Sequence, residues 1–214
     1  MLKMKPIVRV FQALRLLLVL AFLAGACAPQ PSMRGPQKLD DKYEQELQRW
    51  TSSGRIDDSL DRILVVHASY LDLKLRKVFG DQYRNIFGTE PDEVDSDLEM
   101  IATSAGRGHE FFLFADVTKE SWNNFDEKDS VWRLTLWGGD KEQGVAPISV
   151  ERFRGRGPNL AAFFPYLNRF GHSYLVIFPA QHKDGSPVLA EDGLLHLKLS
   201  SAFGTVSMSW KVNQ

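Results

Sequence analysis

Toward its end the chain alternates apolar and polar residues over two consecutive runs, and this pattern limits the fold more than any other feature. In 204–212, Val206, Met208, Trp210 and Val212 fall on one side of an extended backbone. Thr205, Ser207, Ser209 and Lys211 fall on the other. Just upstream, in 193–200, Leu195, Leu197 and Leu199 alternate with His196 and Lys198. Successive side chains of a strand point to opposite faces, so a period of two means one face buried and one wet. Ser201-Ala202-Phe203-Gly204 can close the two runs into a hairpin. A half-buried hairpin needs a second apolar layer, and the runs 109–118, 130–137, 145–153 and 173–179 supply it, being rich in aromatic and β-branched residues and parted by turn formers. A first strand is expected at 58–71, around Ile63-Leu64-Val65-Val66. Together these predict a mainly β chain with an α insertion: an antiparallel β-sandwich of immunoglobulin-like or related type, in a single domain over 40–214.

Helical spacing appears in three places. Tyr43, Leu47 and Trp50 predict a short helix over 40–50, ended by Thr51-Ser52-Ser53-Gly54. Leu75, Val78, Phe79, Tyr83, Ile86 and Phe87 recur every three or four residues, predicting a helix over 72–87 that stops at Gly88. Thr89-Glu90-Pro91-Asp92 has the form of a helix start, and Val94, Leu98, Ile101 and Ala102 carry that helix over 90–105. The last two are expected to form a helical hairpin between the first and second strands.

The first 26 residues carry Lys3, Lys5, Arg9 and Arg15 and no acid, followed by the apolar run 16–26. A membrane-spanning helix needs about 20 apolar residues. This run is shorter and matches the core of a signal peptide, so 1–26 is expected to be cleaved. Ala24-Gly25-Ala26 stands directly before Cys27, the single cysteine of the chain. This stretch resembles the lipobox of bacterial lipoproteins. The family most often has Leu three positions before the cysteine; here Ala24 stands there, with Leu23 one step earlier. The resemblance implies cleavage between Ala26 and Cys27, a lipidated Cys27, and a membrane as partner through that lipid. Ala28 follows the cysteine where inner-membrane retention would call for Asp, which implies an outer-membrane protein facing the periplasm. Ala24-Gly25-Ala26 also satisfies an ordinary secretory cleavage site, which would leave Cys27 a free thiol. Pro29, Pro31, Gly35 and Pro36 give 27–39 the composition of a flexible tether, able to hold the domain up to roughly 40 Å from the lipid.

Removing the leader takes four of the 26 basic residues and leaves 22 against 27 acidic ones, a mild acidic excess. Nucleic-acid binders carry a basic footprint, so no nucleic acid is expected as partner. No cofactor motif is present. The five histidines, His67, His109, His172, His182 and His196, lack metal-ligand spacing, and the acids from Asp92 to Glu99 fail the calcium-loop pattern and read as a solvated helix start. No G-x-S-x-G nucleophile motif occurs, so no catalytic or metal residue is assigned. Two groups remain as candidates. Arg152, Arg154 and Arg156, interleaved with Gly155 and Gly157, could contact an anion; Pro158 and Asn159 follow where the helix of a phosphate loop would begin, so no strand-to-helix context is expected. Phe163, Phe164, Tyr166 and Phe170 lie between strands, where exposed aromatics could meet a partner. The expected role is a non-catalytic binding or assembly component of the cell envelope with a protein partner. The alternative is an envelope hydrolase or carbohydrate-binding enzyme whose site is assembled from distant residues.

Overall fold

Two residues apart in kind, Asp40 and Trp50, delimit the first helix. In the computed structural model, which describes residues 39–59, 61–88, 99, 101–103, 106, 108–139, 143–154 and 158–212, Asp40 caps α1 (Asp41–Trp50) by accepting a hydrogen bond of 2.8 Å from the Lys42 amide. Tyr43, Leu47 and Trp50 are its buried stripe. The helix then passes without a loop into β1 (Thr51–Asp58), which pairs antiparallel with β2 (Asp61–Tyr70). This corrects two expectations. Thr51-Ser52-Ser53-Gly54 is strand and not a terminating turn, and the strand expected at 58–71 is the second of the chain. The small residues are there for space: a side chain at Gly54 would collide with Val206, while the Thr51 hydroxyl lies 2.6 Å from that of Ser69 on β2.

After β2 comes α2 (Leu73–Phe87). Asp72 caps its start, and Gly88 ends it in the left-handed conformation at φ 72°, with its amide donating to the Arg84 carbonyl. Helix 72–87 is therefore placed as expected, but between the second and third strands. Most of the helix expected at 90–105 lies outside the described residues; Glu99, Ile101 and Ala102 are helical, and Ile101 is buried.

The remaining elements are β3 (His109–Val117), a 3₁₀ turn at Glu120–Trp122, β4 (Arg133–Gly138), β5 (Ser149–Phe153), α3 (Pro158–Phe163), β6 (His172–Phe178), β7 (Leu194–Ser201) and β8 (Gly204–Lys211). They complete two antiparallel sheets, one of five strands in the order β1-β2-β3-β6-β5 and one of three in the order β4-β7-β8. The terminal hairpin forms as the alternation predicts, with Leu197 opposite Met208 and Leu195 opposite Trp210.

Successive residues of β3 show how the layers stack. The Phe111 ring lies 5.1 Å from Trp210 of β8, on the side of the smaller sheet. The Phe112 ring lies 4.5 Å from Phe164, on the side where α1, α2 and α3 gather. Tyr43 of α1 donates to the Phe163 carbonyl at 3.0 Å, and Phe79 of α2 meets the Phe163 ring at 4.9 Å. The central strand is thus covered on both faces, which explains why HEFFLFADV is buried almost throughout instead of alternating. With no disulfide available to the domain, this aromatic core is what holds the sheets together.

Candidate anion-binding cleft

The antiparallel pairing of β5 and β6 sets Phe153 opposite Ser173 and Arg152 opposite Tyr174. The chain therefore leaves β5 and enters β6 side by side, and the intervening segment with α3 folds over that end of the sheet. A cleft of about 670 Å³ opens there, within the range of small-molecule sites. Its lining is apolar at Phe114, Phe153, Leu160 and Leu167 and polar at Arg152, Arg154, Asn168, Arg169 and His172.

Each wall residue has a local reason for its position. Arg152 and Arg154 flank Phe153, whose ring is set edge-on to Phe112 at 5.4 Å. Paired residues share a face of the sheet, so Arg152 lies on the face of Tyr174, opposite the one that carries Phe153, Ser173 and Phe114, and Arg154 follows just past the end of the strand. Arg169 comes from the opposite loop, which Asn168 holds in shape. The Asn168 side-chain oxygen accepts from the amides of Phe170 at 2.8 Å and Gly171 at 3.2 Å, and its Nδ2 donates to Asp116 at 3.1 Å. The Arg169 guanidinium lies 4.7 Å from the centre of the Phe170 ring. Gly171 presses the loop against β3: a side chain there would strike the Phe114 ring and the Ala115 carbonyl. His172 Nε2 lies 2.6 Å from Glu120 Oε1.

All three arginines are exposed. None is ion-paired with a described carboxylate. Two of the three arginines singled out in the sequence thus line this concavity, and Arg156 lies outside the described residues. The expectation that no helix follows the arginine-glycine segment is corrected: α3 begins at Pro158, a residue whose fixed φ suits the first turn of a helix. Arg169 had no signal in the sequence, because only the β5–β6 pairing brings its loop to the concavity that Arg152 also borders.

The aromatic candidates part ways. Phe163 and Phe164 are 0% and 1% exposed and belong to the core under the helices, so neither is open to a partner. Tyr166 is half-buried, its ring stacked on His67 at 4.8 Å and its hydroxyl 2.8 Å from that of Ser69. Only Phe170, at 61%, is well exposed; the patch reduces to one ring because Phe163 packs on Tyr43 and Phe79, Phe164 on Phe112 and Tyr166 on His67. Burial holds the His67 imidazole below its ordinary range. It raises the Tyr174 hydroxyl, with Asp126 adding and Arg152 opposing.

Elsewhere, one Ser–His contact joins neighbouring strands of the smaller sheet: Ser209 Oγ lies 2.7 Å from His196 Nδ1, and the His196 ring stacks on Trp137 at 5.3 Å. A nucleophile pair of the hydrolase kind needs a third group to orient the imidazole. Among the described residues no carboxylate does so. No group of three metal-ligating side chains is gathered among them either, and no helix among them is long and apolar enough to cross a membrane. Cys27 and the preceding Ala24-Gly25-Ala26 lie outside the described residues. Comparison with protein-family models, with curated proteins and with solved structures returns no match.

Proposed function

We propose that the protein is a lipid-anchored component of the bacterial cell envelope that binds an anionic ligand or partner in the β5–β6 cleft without transforming it. The observation that carries the binding role is that Arg152, Arg154 and Arg169 all border one concavity with no described acid close enough to neutralise any of them in an ion pair. Charge-assisted bonds to an incoming anion would supply that neutralisation. The anchor rests on the lipobox-like Ala24-Gly25-Ala26-Cys27 and the proline-bearing segment behind it. Acylation also removes the reactive thiol that a lone cysteine would otherwise expose after export. The absence of Asp after Cys27 favours the outer membrane. We read the two antiparallel sheets as an immunoglobulin-related sandwich with a helical insertion, supported by the place of α2 between β2 and β3.

Metabolic labelling with radioactive palmitate tests the anchor. Wild type takes up label into the membrane fraction and Cys27→Ala does not. An unlabelled wild type refutes the lipoprotein assignment and leaves an ordinary secreted domain.

A further inference from the structure

We infer that the outer face of the three-stranded sheet is a binding site for an acidic saccharide, a chain of uronate-type sugars, centred on Trp137, His196 and Ser209. This face belongs to the other sheet from the β5–β6 cleft. The inference therefore goes beyond the anion of the cleft and rests neither on it nor on the lipid anchor.

Strand register builds the face. Paired residues of neighbouring strands share a side of the sheet, and His196 of β7 is paired with Trp137 of β4 and with Ser209 of β8. Two residues along each strand, Thr135, Lys198 and Ser207 make a second row on the same side. Leu136, Leu195, Leu197 and Met208 alternate with these residues and are buried, so both rows lie on the side away from the core. The central row is held together by contact. The Trp137 and His196 rings lie 5.3 Å apart at 22°, and His196 Nδ1 is 2.7 Å from Ser209 Oγ. With Nδ1 engaged by that hydroxyl, Nε2 is the ring nitrogen left to meet a ligand.

Charge selects an anion. Strands β4, β7 and β8 contain no Asp or Glu in a chain that has 27 acids, and the register sets Arg133, Lys198 and Lys211 on their outer side. Asp192, in the turn before β7, accepts from the Leu194 amide at 2.9 Å through its carboxylate. A surface of one sign is complementary to a polyanion and draws it in. The groups between the cations select a sugar. Thr135, Ser207 and Ser209 are short hydroxyl side chains beside the half-buried indole of Trp137. A pyranose ring offers an apolar C–H face to an indole and hydroxyls to serine, threonine and imidazole, and a uronate adds a carboxylate for the lysines. Neighbouring strands are about 4.8 Å apart and alternate residues about 6.6 Å apart along each, so the two rows offer roughly the footprint of a disaccharide. A polyphosphate would use the cations alone and leave the indole without a role.

The full chain, purified in non-ionic detergent, is titrated by calorimetry with trigalacturonate, maltotriose and tripolyphosphate. Trigalacturonate binds, maltotriose binds about tenfold more weakly or worse, and added salt weakens the trigalacturonate complex. Trp137→Ala reduces trigalacturonate affinity about tenfold, as does the double change Lys198→Gln with Lys211→Gln. Ser209→Ala, which removes one hydroxyl from an exposed position, reduces it about threefold and carries the test if Trp137→Ala unfolds. Arg62→Gln, at an exposed arginine on β2, leaves it unchanged. Circular dichroism in the aromatic region reports whether each variant keeps its fold. No binding of trigalacturonate overturns the site, as does binding that survives Trp137→Ala, Lys198→Gln and Lys211→Gln combined. Equal affinity for maltotriose overturns the acidic class. Tripolyphosphate bound as tightly, with no loss in Trp137→Ala, overturns the saccharide and leaves a surface for polyanions. A β5–β6 cleft that takes no anion would leave this result untouched.

Discussion

Arg76 and the three arginines of the cleft put the same side chain to opposite uses. Arg76, on α2, is 3% exposed and fully engaged: its Nε donates to the Leu71 carbonyl at 2.9 Å, its Nη1 to the carbonyls of Ile101 at 2.8 Å and Thr103 at 2.6 Å, and its Nη2 to Glu110 at 3.0 Å. It joins the start of α2, the end of the preceding strand and the segment leading into β3. Arg152, Arg154 and Arg169 are exposed and unmatched by any described acid. A guanidinium whose donors are all taken inside the protein is structural, and one that is exposed beside a concavity without an acid partner keeps its donors for solvent or a ligand.

The largest effect expected from this contrast is at the buried pair. Arg76→Met leaves the Glu110 carboxyl buried without its cation and should lower stability by about 3–5 kcal/mol, read as a fall in the urea midpoint. Changing both partners together to apolar residues should recover much of that loss; equal damage from the single and double variants would show that the carbonyl bonds matter more than the charge pair.

Gly171 sits between the two regions, at the cleft but pressed on the core. Gly171→Ala forces its new methyl against the Phe114 ring and the Ala115 carbonyl, at a cost of about 1–3 kcal/mol. A variant as stable as wild type would mean that the loop moves away from β3 freely.

The buried side is expected to show in alkaline unfolding. Burial, with Asp72 adding, pushes the Tyr70 hydroxyl up to about 12. Burial likewise raises Tyr43 and Tyr174. Above pH 10 the unfolded chain loses these protons while the folded chain keeps them, so the unfolded state binds fewer protons and stability falls as pH rises. The Tyr70 contribution is complete below about pH 10 and is gone above about 12. Urea midpoints measured from pH 9 to 12 should decline, and Tyr70→Phe should make the decline shallower. A flat profile would place these hydroxyls in contact with water.

The smallest effect on stability belongs to the cleft. Arg152→Gln or Arg169→Gln should change unfolding free energy by no more than about 0.5 kcal/mol, even as ligand affinity drops. A marked loss of stability would move those arginines into the structural class with Arg76.

Where burial is one-sided, the sequence is legible. The hairpin β7–β8 follows from strict alternation, and α2 from its apolar spacing and Gly88, because in each case one face is wet and the pattern records it. Strand β1 was hidden, since Thr51-Ser52-Ser53-Gly54 has the composition of a turn. Gly54 answers to Val206 and Thr51 to Ser69, both distant along the chain. The buried aromatics Phe163 and Phe164 read as loop residues for the same reason: nothing local says that α3 turns them onto Phe79 and Phe112. In the cleft, Arg152 and Arg154 stood out as a local cluster. Arg169 did not, as its place beside them depends on β-sheet pairing.

By itself, then, the sequence determined the β character of the chain, its terminal hairpin and the helix that Gly88 ends, through periodicities set by backbone geometry. It also carries the leader pattern on which the proposed export and lipidation rest. Only the tertiary structure decided which sheet each strand joined, that Arg76 would be spent inside and that Arg152, Arg154 and Arg169 would line one concavity. Those outcomes depend on contacts between residues distant in the chain, whose energies no local window contains.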